Sequence, residues 1–403
     1  MWLDGVVRIE STEITSGRNR SLETSHPFTR VGYFVGAISG TSVDGLDLAI
    51  VEISADTVEI KQAITVPFSH ALRTRLLDLT SKPDENIVQL GRSHAELGHF
   101  IGEQVAQFIS TSGYSTSDIV AVGSHGQTVN HVPDGEFSYS IQIGDASRIA
   151  AISGIDIIAD FRAADIAAGG QGAPLVPILH DRVFRSAQVD RVVVNIGGIS
   201  NVTYLPRAST SSVIGFDTGP GNALLDSWMQ FHFERSYDHY GELASSGSII
   251  RELLVQFLTD PWFEVEPPKS TGKEHFNLKY IQEHIQSFGV QTNPVDTLAT
   301  LTELTAKSLS TAISKWCCDS GEVIVCGGGR LNKFLMERIE HHLPNHDLHT
   351  SDWLGINGDA VEAATFAYLA HLFVHGKAGN IPSVTGANRK TVLGCLFPAQ
   401  TKP

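Results

Sequence analysis

Short apolar runs alternate with longer stretches of helical periodicity along most of the chain. Alternating and β-branched residues predict strands at 33–38, 48–53, 119–122 and 322–325. Apolar residues at helical spacing predict helices at 86–109, 298–313, 333–339 and 361–374, the last of which ends at Gly376. This alternation of strands with helices predicts an α/β architecture.

The first two predicted strands flank a loop of small and polar residues, SGTSVDGLD at 39–47. Its glycines predict a tight turn at which backbone N–H groups can approach a ligand closely. Thr41 and Ser42 add hydroxyl donors, and the carboxylates of Asp44 and Asp47 can hold a metal ion through water. Either aspartate also fits the simpler role of capping its own turn. The loop predicts a site for a triphosphate and its metal ion.

Two further glycine clusters strengthen this prediction. Residues 191–205 repeat the order strand, turn, strand with Gly197 and Gly198 in the turn, and Gly198 lies 158 positions (198 − 40) after Gly40. A third cluster, Gly327, Gly328 and Gly329, stands between a predicted strand and a predicted helix, an order that brings backbone to a nucleotide. The P-loop motif G-x-x-x-x-G-K-[ST] is absent, so the sequence predicts phosphate binding by hairpins.

Asp217 is the candidate general base. It lies in GFDTGPGN, after a predicted strand at 212–214 and before a predicted helix at 223–231. Ligands collect at the carboxyl ends of strands in open α/β sheets, and phosphoryl transfer needs a carboxylate to orient and deprotonate the nucleophile. The alternative is an aspartate that only shapes a turn before a helix capped by Asn222.

Other polar residues leave two interpretations open. Glu362 stands among alanines on a predicted helix, and either faces a pocket or forms a capping box with Asp359. His125, in GSHGQT at the predicted end of a strand, is either a ligand contact or a structural histidine. Lys269, in the polar loop after two prolines, either reaches a phosphate or is solvated.

Length, charge and cysteine usage limit the function classes. A chain of 403 residues predicts two domains, and its net charge of −15 argues against nucleic acid or an anionic membrane as partner. No apolar run of about 18 residues predicts a transmembrane helix. Residues 1–30 lack the apolar core of a secretory signal, and are interpreted as a flexible extension or a start set too early. Four cysteines without metal-ligand spacing indicate a reducing cytoplasm.

Several long motifs resemble those of the anhydro-N-acetylmuramic acid kinases, in the superfamily of acetate and sugar kinases, heat-shock ATPase chaperones and actin. The resemblance runs from about residue 31 to the end of the chain. Its motifs are SGTSVDGLD (39–47), GSHGQTVNH (123–131), IQIGD (141–145), ADFRAADIAAGGQGAPLVP (159–177), NIGGISNV (195–202), GFDTGPGN (215–222), PKSTGKEHFN (268–277), VCGGG (325–329), VEAATFAYLA (361–370) and GNIPSVTGA (379–387).

The resemblance implies a two-domain, actin-like ATPase fold with duplicated mixed sheets flanked by helices and a cleft between the domains. Domain I is expected at 31–165 plus 381–403 and domain II at 166–380, with the Gly- and Ala-rich stretch 167–177 as a hinge. The family's habit implies a homodimer.

The resemblance also implies a reaction and its residues. ATP, with Mg²⁺, phosphorylates O6 of 1,6-anhydro-N-acetylmuramic acid while water opens the anhydro ring at C1, giving N-acetylmuramate 6-phosphate in cell-wall recycling. Asp217 is the implied base and Glu362 contacts the sugar near the reacting centre. The implied ATP-binding residues are Gly40, Thr41, Ser42, Val43, Asp44, Gly45, Leu46, Asp47, Gly197, Gly198, Gly327, Gly328 and Gly329. The implied sugar-side residues are His125, Gln127, Thr128 and Arg162.

Two alternatives of different kinds remain open from sequence. An anhydrosugar kinase acting on levoglucosan would use the same mechanism with a less polar and less basic pocket. A nucleotide-gated interaction protein of the actin-like class would use the same fold to change partners, but it needs a peptide-binding domain or a polymer surface. A sugar sensor without activity has no need of a base such as Asp217.

Overall fold

The computed structural model describes residues 32–40, 43–81, 87–208 and 211–399. The predicted extension at 1–30 and two predicted phosphate ligands, Thr41 and Ser42, lie outside the described residues. Within these ranges the chain forms two mixed β-sheets with helices packed on them. No helix in the described ranges is both long and apolar enough to cross a membrane.

The strands belong to two sheets of similar design. The first sheet contains β1 (Gly32–Ile38), β2 (Gly45–Ile53), β3 (Val58–Pro67), β4 (Ile119–Val132), β5 (Tyr139–Ile143), β6 (Ile157–Ala159) and β12 (Cys395–Phe397). The second contains β7 (Arg191–Ile196), β8 (Ile199–Leu205), β9 (Ile214–Pro220), β10 (Gly321–Cys326) and β11 (His346–Thr350).

Thirteen helices connect and cover the strands in the described part of the chain. They are α1 (His70–Ser81), α2 (Ile87–Ser112), α3 (Ala146–Ser153), α4 (Ala163–Ala167), α5 (Pro177–Phe184), α6 (Ala223–Phe233), α7 (Glu242–Ser245), α8 (Arg251–Leu258), α9 (Leu278–Phe288), α10 (Pro294–Trp316), α11 (Lys333–His342), α12 (Val361–Val374) and α13 (Pro382–Thr385).

The two sheets repeat one topology. The order β3-β2-β1-β4-β6 in the first matches β9-β8-β7-β10-β11 in the second. In each sheet the first three strands form an antiparallel meander, and the next two run parallel to its first strand. Strands β12 and β5 extend only the first sheet. The prediction of an α/β fold with duplicated mixed sheets is confirmed.

Helix α12 lies directly on the first sheet, where glycines admit it. A Cβ built on Gly36 of β1 would lie 1.7 Å from the carbonyl oxygen of Ala363, and one on Gly123 of β4 would lie 2.0 Å from that of Phe366. Only glycine allows so close an approach of helix and sheet. Although α12 falls by number within predicted domain II, it packs on strands of the first sheet. The domain boundaries themselves stay a prediction.

Candidate active site

The first glycine loop is shorter than the sequence indicates. Strand β2 begins at Gly45, so three residues of the predicted loop belong to the strand instead: Gly45, Leu46 and Asp47. A Cβ at Gly45 would lie 2.6 Å from the carbonyl oxygen of Val66 on β3, which explains the glycine here. The side chains of Val43 and Leu46 are buried in the core. These two residues can therefore offer a nucleotide only backbone groups.

The carboxylates of this hairpin lie in an acidic neighbourhood. Burial raises the pKa of Asp47, the 2.6 Å hydrogen bond from Thr65 Oγ1 opposes this rise, and the charges of Asp359 and Asp44 add to it. Asp44 is exposed and pairs with Arg73 at 3.0 Å. Within the described ranges, no group of three or more His, Cys, Asp or Glu side chains is arranged to hold a metal ion.

Glu362, in the first turn of α12, is reached from both sheets. A Cβ built on Gly40 would lie 4.0 Å from Glu362 Oε2, and Asn195 Nδ2 on β7 donates to Glu362 Oε1 at 3.4 Å. Burial raises the pKa of Glu362 and the charge of Asp47 adds to the rise, while the Arg162 guanidinium opposes it. These contacts place the Glu362 carboxylate beside Gly40 and Asn195, and its facing a pocket stays a prediction.

The capping-box alternative for Glu362 is wrong. The N-cap of α12 is Ala360, and no side chain caps it. Asp359 instead accepts two hydrogen bonds, of 2.6 and 2.9 Å, from Arg330, whose Nη1 also donates to the carbonyl oxygen of Gly327 at 3.0 Å. This arginine, which the sequence reasoning missed, ties the third glycine cluster to the helix that carries Glu362.

The buried His125 pairs with the half-buried Arg162. Nε and Nη2 of Arg162 approach His125 Nε2 at 3.0 and 2.8 Å, and Nη1 donates to the carbonyl oxygen of Gly172 at 2.7 Å. Because Nε2 accepts, the ring proton is assigned to Nδ1, which lies 3.0 Å from the carbonyl oxygen of Gly126. Burial and then the Arg162 charge hold the pKa of His125 well below its usual range, so the ring is neutral. Burial lowers the pKa of Arg162 to about 10, which leaves it charged at neutral pH.

Gln127 and Thr128 lie inside β4, which continues through the GSHGQT motif to Val132 instead of ending before it. The strand continues because this stretch pairs with β5. The buried side chain of Gln127 accepts a hydrogen bond from Ser39 Oγ, and Thr128 Oγ1 accepts one of 3.1 Å from Gln142 Nε2. Gln127 thus adjoins the first glycine loop, whereas Thr128 contacts β5.

Asp217 lies within β9 and not after a strand, because β9 continues to Pro220 in register with β8. Its Oδ2 accepts hydrogen bonds of 2.9 Å from both Ser270 Oγ and the backbone N–H of Thr271. Burial raises the pKa of Asp217, and these two hydrogen bonds oppose the rise. A carboxylate that takes up protons closer to neutral pH is suited to act as a general base.

The register of the second sheet relates Asp217 to Glu362. Asp217 pairs with Asn201 on β8, which pairs with Asn195 on β7, and Asn195 contacts Glu362. Residues paired directly in this way point to the same face of a sheet. Two strand spacings place the backbones of Asp217 and Asn195 about 10 Å apart. The side chain of Asp217 and the Asn195 side chain that contacts Glu362 therefore lie on one face of the second sheet.

The second glycine turn holds the start of α6. Gly197 accepts a 2.8 Å hydrogen bond from the backbone N–H of Asn222, and Gly198 accepts one of 2.9 Å from that of Gly221. Asn222 is the N-cap residue of α6, as the simpler alternative for Asp217 expects, but its side chain donates to the carbonyl oxygen of Ile196 at 3.3 Å and makes no capping hydrogen bond. A Cβ at Gly198 would lie 2.7 Å from Lys273 Cε. The predicted phosphate turn is thus in contact with a lysine side chain.

The third glycine cluster leads into a 3₁₀ turn, and α11 begins only after Asn332, whose side chain caps it. The predicted order of strand, glycine cluster and a helix beginning at Lys333 is confirmed, and the 3₁₀ turn lies between the glycines and the helix. A Cβ at Gly327 would lie 2.4 Å from Asn195 Oδ1, whereas one at Gly328 would have nothing within 4 Å. Gly329 is buried between these elements. The side of Gly328 on which a Cβ would stand is therefore open.

Asp165, which the sequence reasoning did not single out, organises the loop beside Arg162. It is fully buried, and its carboxylate accepts hydrogen bonds from the backbone N–H of Gly172 at 2.8 Å, Asn380 Nδ2 at 2.7 Å and Thr385 Oγ1 at 2.8 Å. Because Gly172 also accepts from Arg162, Asp165 indirectly positions that guanidinium. In the sequence, the only indication of this role is that Asp165 lies in ADFRAADIAAGGQGAPLVP (159–177), one of the motifs that resemble the family.

Comparison with known proteins decides the family. The chain matches the family described as anhydro-N-acetylmuramic acid kinase over residues 32–399. The anhydro-N-acetylmuramic acid kinase of Coxiella burnetii (strain RSA 493 / Nine Mile phase I) is 42% identical over 364 residues, which cover 90% of this chain and 97% of that protein. The chain belongs to the anhydro-N-acetylmuramic acid kinase family. The protein of that name from Aliivibrio fischeri is 43% identical over 367 residues, 91% of this chain and 99% of its own.

Membership of the anhydro-N-acetylmuramic acid kinase family confirms the resemblance and the prediction of a kinase. Solved structures are more distant. A ROK family glucokinase from Streptomyces griseus, in complex with glucose and AMPPNP, has a TM-score of 0.36 and 14% identity over 84% of this chain and 99% of its own. An activator of 2-hydroxyisocaproyl-CoA dehydratase from Clostridium difficile with bound ADPNP has a TM-score of 0.40 and 14% identity over 84% and 97%. Structural similarity at these TM-scores gives no information about the residues of the site.

Proposed function

We propose that this kinase uses ATP to phosphorylate O6 of 1,6-anhydro-N-acetylmuramic acid while water opens the anhydro bond at C1. The product is N-acetylmuramate 6-phosphate, an intermediate in the recycling of cell-wall sugar. Family membership supports the substrate. The observation that carries the chemistry is Asp217, whose carboxylate has a raised pKa and lies on the same sheet face as the contact to Glu362.

The reaction couples hydrolysis of the C1–O6 bond to transfer of the γ-phosphoryl group. Asp217 takes a proton from a water molecule whose oxygen bonds to C1, and the C1–O6 bond breaks with its electron pair moving to O6. The O6 oxygen then bonds to the γ-phosphorus and ADP leaves. In such a reaction the protein mainly positions the reacting groups and neutralises charge. Positioning can lower the activation barrier by about 7–11 kcal/mol.

The roles of the remaining site residues are assigned from their positions in the fold. The first loop and the turn at Gly197 and Gly198 would face the phosphates, and the third glycine cluster would face adenosine. A Mg²⁺ ion held through water near Asp44 and Asp47 would neutralise phosphate charge. Crowding of Asp47 by other carboxylates supports this assignment.

The sugar side favours a muramic substrate over levoglucosan. Arg162 is a half-buried cation that contacts His125, and the sugar-side residues around it are polar. A lactyl carboxylate, present on muramic acid and absent from levoglucosan, gives such a cation a partner. The homodimer and the cytoplasmic location stay predictions.

The test is product analysis in ¹⁸O-water with purified protein, ATP, Mg²⁺ and either anhydrosugar. We expect N-acetylmuramate 6-phosphate with the label at C1 and the matching amount of ADP. Turnover of levoglucosan alone would keep the mechanism and overturn the substrate. ADP release with neither sugar modified would overturn the kinase assignment and favour a nucleotide-gated interaction protein.

A further inference from the structure

The segment at residues 269–271 contacts Asp217 through three hydrogen bonds. The backbone N–H of Asp217 donates to the carbonyl oxygen of Lys269 at 3.1 Å, while Ser270 Oγ and the backbone N–H of Thr271 each donate to Oδ2 at 2.9 Å. Both hydrogen bonds to the carboxylate are made to Oδ2 and not to Oδ1. One oxygen of the carboxylate is thus occupied by two donors.

The segment is itself held by aromatic neighbours. Lys269 Nζ donates to the carbonyl oxygens of Trp262 and Phe263, at 3.3 and 3.1 Å, and lies 4.3 Å from the centroid of the Trp262 ring. Trp262 Nε1 in turn donates to the carbonyl oxygen of Ser270 at 3.3 Å. Lys269 is therefore not simply solvated, because its ammonium contacts these carbonyl oxygens and the Trp262 ring. These contacts of Lys269 hold the backbone of the segment that carries the Ser270 hydroxyl.

We propose that residues 269–271 are a positioning device that occupies Oδ2 of Asp217 and presents Oδ1 to the water that attacks C1. The inference rests on the proposed function, in which Asp217 is the base. Ser270 does not touch the reacting atoms, and acts only by orienting the carboxylate and stabilising its charged form. The proton from water is then received on Oδ1, while the two hydrogen bonds to Oδ2 persist.

The charges around Asp217 agree with this division of roles. Burial is the largest influence and raises the pKa of Asp217, the hydrogen bonds from Thr271 and Ser270 lower it, and the charges of Glu274 and Lys269 raise and lower it respectively. Removal of the Ser270 hydroxyl leaves the burial in place and takes away one stabilising bond. The carboxylate should then hold its proton to a higher pH.

The experiment measures kcat and KM against pH for wild type, Ser270→Ala, Ser270→Thr and Thr271→Val. For Ser270→Ala we expect the acidic limb of kcat to move up by about half to one pH unit, the share of one hydrogen bond to a carboxylate. The KM for ATP should stay unchanged. Ser270→Thr keeps the hydroxyl and should restore the wild-type limb. Thr271→Val is the matched control, because its donor is the backbone N–H and survives the substitution.

A pH profile of Ser270→Ala that coincides with wild type would overturn the inference, as would an equal shift in Thr271→Val. Asp217→Asn separates this failure from failure of the proposed base. If Asp217→Asn is inactive and Ser270→Ala is unshifted, the base stands and the positioning device is wrong. If Asp217→Asn remains active, the base assignment is wrong, and the labelled-water products show independently whether the proposed reaction still occurs.

Discussion

Replacement of Gly36 by alanine tests whether α12 rests directly on the first sheet. The new Cβ would lie 1.7 Å from the carbonyl oxygen of Ala363 and 2.8 Å from the backbone nitrogen of Ala367, whereas ordinary contacts begin at 3.4 Å. Both obstacles are backbone atoms, which cannot rotate away as a side-chain end can. Helix and strand must therefore separate by about 1.7 Å (3.4 − 1.7), the deficit in the Ala363 contact.

The separation has a cost in stability and a cost in activity. Overpacking of a well-filled core typically costs about 1–3 kcal/mol, and we expect the upper end because the strand and helix backbones themselves must move. Glu362 immediately precedes Ala363 on the same helix, so it moves with the displaced turn. A displacement of about 1 Å at a reacting centre can lower kcat about 100-fold.

The assay combines urea unfolding with initial rates of ADP release. Gly91→Ala is the matched control, since Gly91 lies in α2 with nothing within 4 Å of a new Cβ, and alanine is favoured over glycine in helices by up to about 1 kcal/mol. We expect the unfolding midpoint to fall for Gly36→Ala and to rise for Gly91→Ala. A midpoint for Gly36→Ala equal to that of wild type would refute the reasoning about the contact between α12 and β1.

Three further predictions concern single side chains. Asp217→Asn should lower kcat by about 10²–10⁴, the usual contribution of a general base, while equilibrium binding of ATP stays near wild type. Burial raises the pKa of Asp226 to about 7, so its carboxyl stabilises the fold below its unfolded pKa near 4 and loses this contribution as the pH rises through 7. Asp226→Asn should therefore be more stable than wild type at pH 8, by at least about 1.4 kcal/mol for one unit of pKa, with the difference shrinking toward pH 5 in thermal melts. Arg162→Lys should lower kcat/KM for the sugar about tenfold or more in steady-state assays, because one ammonium cannot reproduce the contacts to His125 and Gly172.

Elements with a local signal could be predicted closely from the sequence. The predicted helix at 361–374 has the bounds of α12, because its apolar run ends in a glycine that stops it. The ends of strands that depend on pairing with a neighbouring strand could not be predicted from the sequence. β4 continues ten residues past its predicted end at 122 because β5 pairs with it, and Asp217 lies inside β9 because β8 does the same for that strand. No local pattern carries such information.

The candidate site shows the same division. The glycine clusters, Asp217 and Glu362 carry signals in their own neighbourhoods, and all of these could be named before the fold was known. Ser270 and Asp165 act on residues 53 and 215 positions away respectively, so their roles follow only from the folded chain. Lys269 lies in a polar loop, so solvation was one of its two interpretations, and its contact with the ring of Trp262 could not be read from that local pattern.

The hydrogen bonds accepted by Asp165 also bear on the order in which parts of this enzyme can fold during its synthesis. Asn380, its partner, is added 215 residues after Asp165, which at ribosomal speeds of about 5–20 residues per second is a delay of about 10 to 40 s. Until then the loop that carries Gly172 lacks two of the side-chain donors that bind it to the rest of the molecule. The sugar side of the site is therefore assembled last, when the nascent chain is almost finished. A ribosome that stops short of Asn380 would release a chain whose phosphate hairpins can form but whose Arg162 loop is not anchored.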